Sequence, residues 1–274
     1  MRRSAFNVQG VSHILRRLRP TSPAAICAFA LAGLLLVAGC GKKGPLVPPE
    51  AFAPGAVATL AVEQKGDRFF VSWEAPTRDA GGRPLKDLAG FRLYRRPVLP
   101  PGEDCEECPT AYRLVKTVDL DYLRDVTVYG NRYVVPDAGV ENGTTYQYKV
   151  IAFRKDGSES APSNRARRLK VAAPPAPRLT AASTPTGILL RWEPARTPGA
   201  DFAGYDLYRR RGDDLGTLVL LTPTPVKEQR YEDREVERGV TYFYTVREVT
   251  GADGQLVEGA ASNEASGALT APSD

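Results

Sequence analysis

The sequence predicts an all-β protein that contains two copies of one folding unit. Three observations predict it. Apolar and polar residues alternate with period two in short blocks, the same blocks recur in both halves, and Gly-containing turn signals such as Asp156-Gly157 and Asp253-Gly254 follow them. No stretch after Cys40 carries a long helical period. Since a strand with this alternation has one buried and one solvated face, each unit is expected to consist of packed sheets.

Four blocks of the first half return in the same order in the second half. They pair residues 69–76 with 188–194, 88–96 with 202–210, 143–150 with 239–246, and 163–164 with 262–263. In the first block Phe69, Val71 and Trp73 point to one side and Ser72 and Glu74 to the other. Four matches in one order indicate a duplicated domain.

The repeated blocks resemble the fibronectin type III domain, an immunoglobulin-like sandwich of two sheets and about 100 residues. In that family the second strand ends in a hydrophobic-x-Trp pattern, matched here at Trp73 and Trp192. The sixth strand opens with a corner tyrosine, matched at Tyr146 and Tyr242. The resemblance implies that these four residues are structural, and that each corner hydroxyl hydrogen-bonds back to the backbone.

The domain organisation follows from these blocks and from the composition between them. The first copy has about 23 extra residues, because its tryptophan and corner tyrosine lie 73 positions apart and those of the second copy lie 50 apart. The segments predicted after the signal are a Gly/Pro-rich tether at 40–54, domain 1 with an inserted loop at 55–172, a Pro-rich linker at 173–177, domain 2 at 178–270 and a disordered tail at 271–274.

Residues 1–39 have the pattern of a signal peptide. Five arginines and no acidic residue accompany an apolar run that is too short to span a bilayer. The run ends in Val37-Ala38-Gly39-Cys40, which resembles the bacterial lipobox. The resemblance implies a lipoprotein signal peptide that is cleaved before Cys40, with a covalent lipid on Cys40 as the membrane anchor. An ordinary secretory signal, in which Cys40 has no special role, is the alternative.

Cleavage would change the charge and the available chemistry. The chain has 37 basic and 32 acidic residues, and because five basic residues and no acidic one precede Cys40, 32 of each remain. This neutral balance gives no reason to expect a nucleic-acid partner. The single histidine, His13, also leaves with the signal. Histidine-dependent catalysis and the usual zinc sites are therefore excluded, so we expect no enzyme activity, no metal and no cofactor besides the lipid.

Cys105 and Cys108 are the other cysteines of the predicted mature chain. In an oxidising compartment this spacing favours a small disulfide that stiffens the inserted loop. A redox role would need a lowered thiol pKa, which the neighbouring acidic residues oppose. A metal site would need two further ligands. The disulfide is the preferred interpretation, and the other two remain open.

Two further motifs are interpreted as surface features. Arg211-Gly212-Asp213 spells the integrin-binding tripeptide, but in fibronectin that tripeptide lies on a different loop, so we expect a chance occurrence. Asp119, Asp121 and Asp125 lack the glycine and terminal glutamate of an EF-hand loop. We expect them to be solvated.

Alternation predicts an outer sheet face in each domain that is rich in aromatic residues and arginine, which are enriched in interfaces. The expected binding surface consists of Tyr94, Arg96, Ile151 and Phe153 in domain 1 and Tyr208, Arg210, Phe243 and Arg247 in domain 2, with Arg92 and Val249 on the same faces. The alternative is that these residues only reflect high β-propensity on a solvated sheet.

The sequence thus favours a non-catalytic, lipid-anchored protein of the bacterial cell envelope that acts as a spacer and protein-binding module. Gly41 stands where an aspartate commonly retains lipoproteins in the inner membrane, which favours the outer membrane. The run from Cys40 to Pro48 resembles the start of small lipoproteins associated with the lipopolysaccharide-export translocon, so outer-membrane biogenesis through this segment is one alternative. Glycan binding is another.

Overall fold

The computed structural model describes residues 48–195, 201–214 and 218–269. These residues form sixteen strands and one short 3-10 helix, Pro49–Phe52, which confirms the all-β prediction. The strands of the first half are β1 (Ala61–Lys65), β2 (Arg68–Glu74), β3 (Leu88–Pro97), β4 (Arg113–Asp119), β5 (Thr127–Tyr129), β6 (Arg132–Asp137), β7 (Thr145–Arg154) and β8 (Ala166–Leu169). Those of the second half are β9 (Arg178–Ser183), β10 (Ile188–Glu193), β11 (Asp201–Arg211), β12 (Val219–Leu220), β13 (Arg230–Asp233), β14 (Thr241–Ala252), β15 (Gln255–Glu258) and β16 (Ala265–Ala268).

The first sandwich packs the strands β1-β2-β6-β5 against a sheet of order β4-β3-β7-β8. The period-two pattern of β2 decides which side chains enter its core: Phe69, Val71 and Trp73 are fully buried, as alternation predicts. The Trp73 ring meets Phe91 of the facing sheet edge-on, with ring centroids 5.4 Å apart. Burial of these large apolar side chains is the main source of stability for such a core.

The second sandwich repeats this arrangement with β9-β10-β13 facing β11, β12, β14 and β16. Trp192 takes the place of Trp73 and meets Tyr205 edge-on, with centroids 5.3 Å apart. The two hydrophobic cores are separate clusters. Each half of the repeat therefore buries its own apolar face.

The two corner tyrosines make equivalent contacts. The Tyr146 hydroxyl accepts a hydrogen bond from the Glu141 amide at 3.2 Å, and the Tyr242 hydroxyl accepts one from the Glu237 amide at 3.2 Å. Both tyrosine side chains are buried. This is the contact that the resemblance implies, and it satisfies an amide in the connection before each β7 or β14 strand.

A repeated glycine marks the same bulge in both sandwiches. The pairing of β3 with β7 shifts at Gly90, and the pairing of β11 with β14 shifts at Gly204. A Cβ atom at Gly90 would lie 2.1 Å from the Val118 carbonyl oxygen. The glycines recur because the neighbouring strand approaches too closely for a side chain.

One sheet runs through both sandwiches. The long β14–β15 hairpin turns at Asp253 and Gly254, both with positive φ as an Asp-Gly turn requires, and projects β15 beyond its own sandwich. There β15 pairs in parallel with β1, matching Gln64 with Val257 and Lys65 with Glu258. The result is a nine-stranded sheet that joins the two cores.

Candidate functional site

The outer face of the β4-β3-β7-β8 sheet carries the predicted surface of domain 1. Cross-strand pairing places Tyr94 opposite Lys149 and Arg92 opposite Ile151. The Arg92 guanidinium lies over the Phe153 ring, 4.6 Å from its centroid. These side chains are half-buried rather than fully solvated. The face is thus a half-buried mixture of cations and aromatic rings on the side of the sheet that alternation predicts.

Arg96 departs from this prediction, because the inserted loop at 98–112 covers it. Its side chain is 2% exposed and forms a two-pronged ion pair with Asp104, with Nη2 2.9 Å from Oδ2. Hydrogen bonding from Arg96, against the effect of burial, lowers the pKa of Asp104 to about 2. The Leu99 amide also donates to Asp104, at 3.2 Å. Arg96 therefore anchors the loop and is not part of a free surface.

Glu106, from the same loop, lies at the centre of a cationic cluster. Its carboxylate is 2.6 Å from Arg165 Nε, 3.5 Å from Arg167 Nη2 and 3.7 Å from Arg96 Nη2. Hydrogen bonds from Gln147, Arg165 and the neighbouring tyrosine lower its pKa to about 2 despite partial burial. Such charge-assisted hydrogen bonds are stronger than neutral ones. Glu106 therefore fixes the loop to the sheet.

Tyr112 connects the loop to the same cluster. Its hydroxyl donates to Glu106 at 3.1 Å and accepts a hydrogen bond from Gln147. The Lys149 ammonium lies 3.9 Å from the centroid of its ring. Burial, followed by repulsion from Arg165, lowers the pKa of Lys149. Cation–π attraction from the Tyr112 ring thus stabilises the Lys149 ammonium, which lies near the like-charged Arg165.

Cys105 and Cys108 are joined by a disulfide, on either side of Glu106 and Glu107. The Cys108 amide faces the Cys105 carbonyl at 3.4 Å, and the Ala111 amide donates to the Cys108 carbonyl at 2.9 Å. Both cysteines are exposed, while Glu106 between them is half-buried. The disulfide closes a tight turn that presents the Glu106 side chain to the sheet.

A cleft of about 890 Å³ lies beside this loop, between it, the end of β3 and the connection before β7. Arg95, Arg113, Glu103 and Glu141 are among its lining residues, so its charges are mixed. Since ligand sites usually combine an apolar wall with a few polar groups, this lining favours no particular small molecule.

On the matching face of the second sandwich, the expected binding residues are paired within the sheet region or buried. Arg210 pairs with Glu264, the residue before β16, at 3.1 Å and lies over the Phe243 ring, 4.4 Å from the centroid. Tyr208 and Val249 depart from the predicted surface, because both are buried. Val249 lies opposite Glu258 of the added strand β15, which extends the sheet at this point.

Tyr208 is buried at the junction of the two sandwiches. Its hydroxyl donates to Glu258 at 2.8 Å and accepts from the Lys65 ammonium at 3.1 Å, and Lys65 also pairs with Glu258 at 2.7 Å. Arg247 lies 3.8 Å from Glu258 on the same side. Burial, and then the charge of Glu258, raises the pKa of Asp206 to about 6. The expected binding residues Tyr208 and Arg247 therefore belong to a polar cluster that spans the junction.

Several backbone groups also connect the sandwiches. The Gly66 amide donates to the Glu258 carbonyl at 2.8 Å, and the Ala260 amide donates to the Pro174 carbonyl at 2.9 Å. The Arg168 side chain, 7% exposed, donates to the carbonyls of Val62 and Leu256. These contacts come from β1, β8, the proline linker and the β15 region together. They fix one sandwich against the other.

A buried ion pair that the sequence analysis missed occurs in both sandwiches. Arg95 pairs with Asp137 and Arg209 with Asp233, and the hydroxyls of Tyr148 and Tyr244 donate to those carboxylates at 2.8 and 2.9 Å. The signal was present in the sequence. Each aspartate lies nine residues before its corner tyrosine, and the two arginines align in the second repeated block.

The two remaining motifs have intramolecular partners. Arg211 pairs with Asp213 at 3.0 Å and with Glu237 at 2.5 Å. Asp121 pairs with Lys155 at 2.8 Å, and Asp125 with Lys116 at 3.2 Å. Within the described ranges no group of three or more His, Cys, Asp or Glu side chains could hold a metal ion.

The predicted signal peptide and lipobox, Cys40 and residues 41–47 lie outside the described residues. Across the part of the chain that is described, no helix has the length and hydropathy needed to cross a bilayer.

No model of a known protein family matches the chain. Among solved structures, the crystal structure of the chicken CNTN1 FN1-FN3 domains is similar to 80% of this chain, over 69% of its own length, at 17% sequence identity and a TM-score of 0.37. The strand pairing and the two separate cores, rather than this similarity, define the fold.

Proposed function

We propose that the chain is a non-catalytic, lipid-anchored envelope protein whose two fibronectin-like sandwiches form a rigid spacer that carries a protein-binding surface. The observation that supports this most is the nine-stranded sheet that passes from one sandwich into the other. Tandem domains on a flexible linker move independently, whereas a shared sheet and a buried polar cluster hold them at one angle. A spacer needs such a fixed angle between its two domains.

The contacts at the junction support rigidity because they come from separate elements. The Lys65–Glu258–Tyr208 cluster adds side-chain bonds to the strand pairing, and Arg168 adds bonds from β8 to both sides. Lys65 is only partly exposed, and although burial opposes it, hydrogen bonding and the charge of Glu258 raise its pKa. A partly buried pair with additional hydrogen bonds is screened less than a surface pair.

The lipid anchor is supported by the lipobox-like sequence at Cys40, and the first described residues set how far the anchor could lie from the first sandwich. Residues 49–53 pack on the first sandwich: the amides of Ala80 and Gly81 donate to the carbonyls of Ala53 and Ala51 at 2.9 and 2.8 Å. The Phe52 ring lies under Arg83, 3.8 Å from its guanidinium carbon. If Cys40 carries the lipid, a chain from Cys40 to Pro48 reaches at most roughly 28 Å. The first sandwich would then stay close to the membrane.

The rigid-spacer proposal is tested by measuring the distance between the sandwiches. Nitroxide labels at Thr117→Cys and Ser266→Cys, both exposed positions in different sandwiches, would be attached to the mature lipoprotein in detergent micelles. Pulsed dipolar EPR is expected to give one narrow distance distribution. The Glu258→Ala variant, which removes the partner of Lys65 and Tyr208, should broaden it.

Glu264→Ala is the matched control, because Glu264 pairs with Arg210 within the second sandwich and does not contact the first. It should leave the distribution unchanged. A broad distribution in the unaltered protein would contradict the proposed spacer role.

A further inference from the structure

The two sandwiches differ in the charges of one equivalent pair of residues. In the second sandwich Arg210 is neutralised by Glu264, the residue before β16, 3.1 Å away. In the first sandwich the equivalents of these two residues are Arg96 and Arg165. An attractive pair in one copy is therefore a pair of like charges in the other.

The inserted loop compensates for this change. The sheet side of the cluster consists of four cations, Arg96, Lys149, Arg165 and Arg167. The carboxylates that pair with the three arginines, Asp104 and Glu106, both come from the loop. They stand two residues apart, Asp104 just before the turn that the disulfide closes and Glu106 within that turn. The sheet thus binds an acidic stretch of peptide that happens to be part of its own chain.

We propose that the cluster of Arg96, Lys149, Arg165 and Arg167 is a docking site for an acidic segment of a partner protein, which the inserted loop occupies with Asp104 and Glu106. The inference rests on the proposed protein-binding role and gives it a partner chemistry: two carboxylates close together in the chain. Binding the partner requires the loop to leave, so the loop acts as a competing ligand.

The geometry of the bound loop favours an acidic peptide over other anions. Arg96 holds one carboxylate through two of its nitrogens, and Arg165 and Tyr112 converge on one oxygen of the other. Forked guanidinium groups match carboxylates in this way.

The experiment neutralises the two loop carboxylates and offers the cluster the carboxylates of a free peptide instead. A fluorescein-labelled peptide of ten glutamates would be titrated into the mature protein and into the Asp104→Asn/Glu106→Gln variant, with fluorescence anisotropy as the readout. The variant should bind the peptide at least tenfold more tightly than the unaltered protein. Adding Arg165→Glu and Arg167→Glu should abolish the gain, and raising the salt concentration should weaken binding.

Glu264→Gln is the matched control, because it frees one arginine on the second sandwich without creating a cluster; it should produce no gain. If the double variant folds by circular dichroism but binds no more tightly than the unaltered protein, the proposal is overturned. Tighter binding of dextran sulfate than of the peptide would overturn the protein partner in favour of a sulfated polymer.

A second measurement on the unaltered protein covers the case in which the variant fails to fold. Arginine side-chain NMR should show the Nε–H signal of Arg165, bonded to Glu106 in the closed loop, shifting as excess peptide displaces the loop. No shift at saturating peptide would contradict the site. Membrane anchorage and the distance between the sandwiches are measured separately, so a negative result here leaves the spacer role standing.

Discussion

Arg95 of β3 reaches across the first sandwich and pairs with Asp137 of β6 at 2.6 Å, with both side chains 5% exposed. Arg209 and Asp233 repeat the contact in the second sandwich at 2.9 Å. In each copy a core tyrosine and a nearby backbone amide also donate to the aspartate. Both oxygens of each aspartate are therefore hydrogen-bonded, the condition under which a buried carboxylate is tolerated, although the buried Arg95 Nε makes no hydrogen bond to a described residue.

Removing the Asp137 carboxylate should destabilise the first sandwich strongly. In Asp137→Ala the Arg95 charge and the Tyr148 hydroxyl would lose their main partner in a dry environment, which costs about 3–5 kcal/mol for a broken buried pair. Urea unfolding followed by tryptophan fluorescence measures the loss. Asp121→Ala is the control, since its ion pair with Lys155 is exposed and should contribute little. A similar effect of both substitutions would contradict this account.

Most of the core could be predicted from the sequence, because apolar side chains repeat with the period of a strand. The buried Arg95 and Asp137 could not be assigned in that way, since charged residues in a strand are ordinarily placed on its solvated face. The repeated Ser-Asn pair could be recognised in the sequence, but its structural role could not. Asn164 and Asn263 each form two hydrogen bonds with the backbone of a residue near the first strand, Leu60 and Leu179.

The surface was harder to predict because its burial depends on distant segments. The loop at 98–112 has no periodicity, yet it covers Arg96. Tyr208 is buried by Lys65, which lies 143 residues earlier in the chain. Alternation describes one strand at a time and carries no information on such pairing. Binding residues assigned from periodicity alone are therefore reliable only where nothing else packs on the sheet.

Asp206 should make the stability of the second sandwich depend on pH. Its pKa is raised to about 6 by burial and by Glu258, above the ordinary value of an unfolded aspartate. Between these two values the folded protein binds more protons than the unfolded chain, so the free energy of unfolding should fall as pH rises from about 4 to 6. The lost stability is roughly 2–3 kcal/mol and should stay lost above pH 6.

Asp206→Asn should remove this pH dependence, because the amide carries no charge next to Glu258 at any pH. The variant should be more stable than the unaltered protein at pH 7.5, and the difference should shrink at pH 4.5. Urea titrations at the two pH values give the comparison. The explanation fails if the difference in free energy is the same at both.

Cys40 should determine whether the protein is membrane-bound. Cys40→Ser removes the thiol that would take the lipid, so the protein should leave the membrane fraction or accumulate with its signal uncleaved. Cys27→Ser is the control, because Cys27 lies in the apolar part of the signal and should be dispensable. Metabolic labelling with a fatty acid, followed by fractionation, reports both. Labelling of the Cys40→Ser protein would contradict the predicted anchor.

Arg168 should control how tightly the sandwiches are joined without affecting either core. Its guanidinium binds the carbonyls of Val62 and Leu256, so Arg168→Met would keep most of the side-chain volume but leave both oxygens without this donor. Hydrogen exchange at the junction amides of Gly66 and Ala260 should become at least tenfold faster, while the Val150 amide, bonded to Ser163 within the first core, should be unchanged.

Arg167→Met is the matched control for this last substitution. Arg167 is the preceding residue on the same strand, but its side chain points to the opposite face, where it contacts Glu106 and Gln147. Its loss should leave the junction amides protected. If Arg168→Met also leaves them protected, the strand pairing alone holds the sandwiches together; if it accelerates Val150 equally, the arginine stabilises the core. Only a local increase at the junction agrees with a clamp that acts between two sandwiches with separate hydrophobic cores.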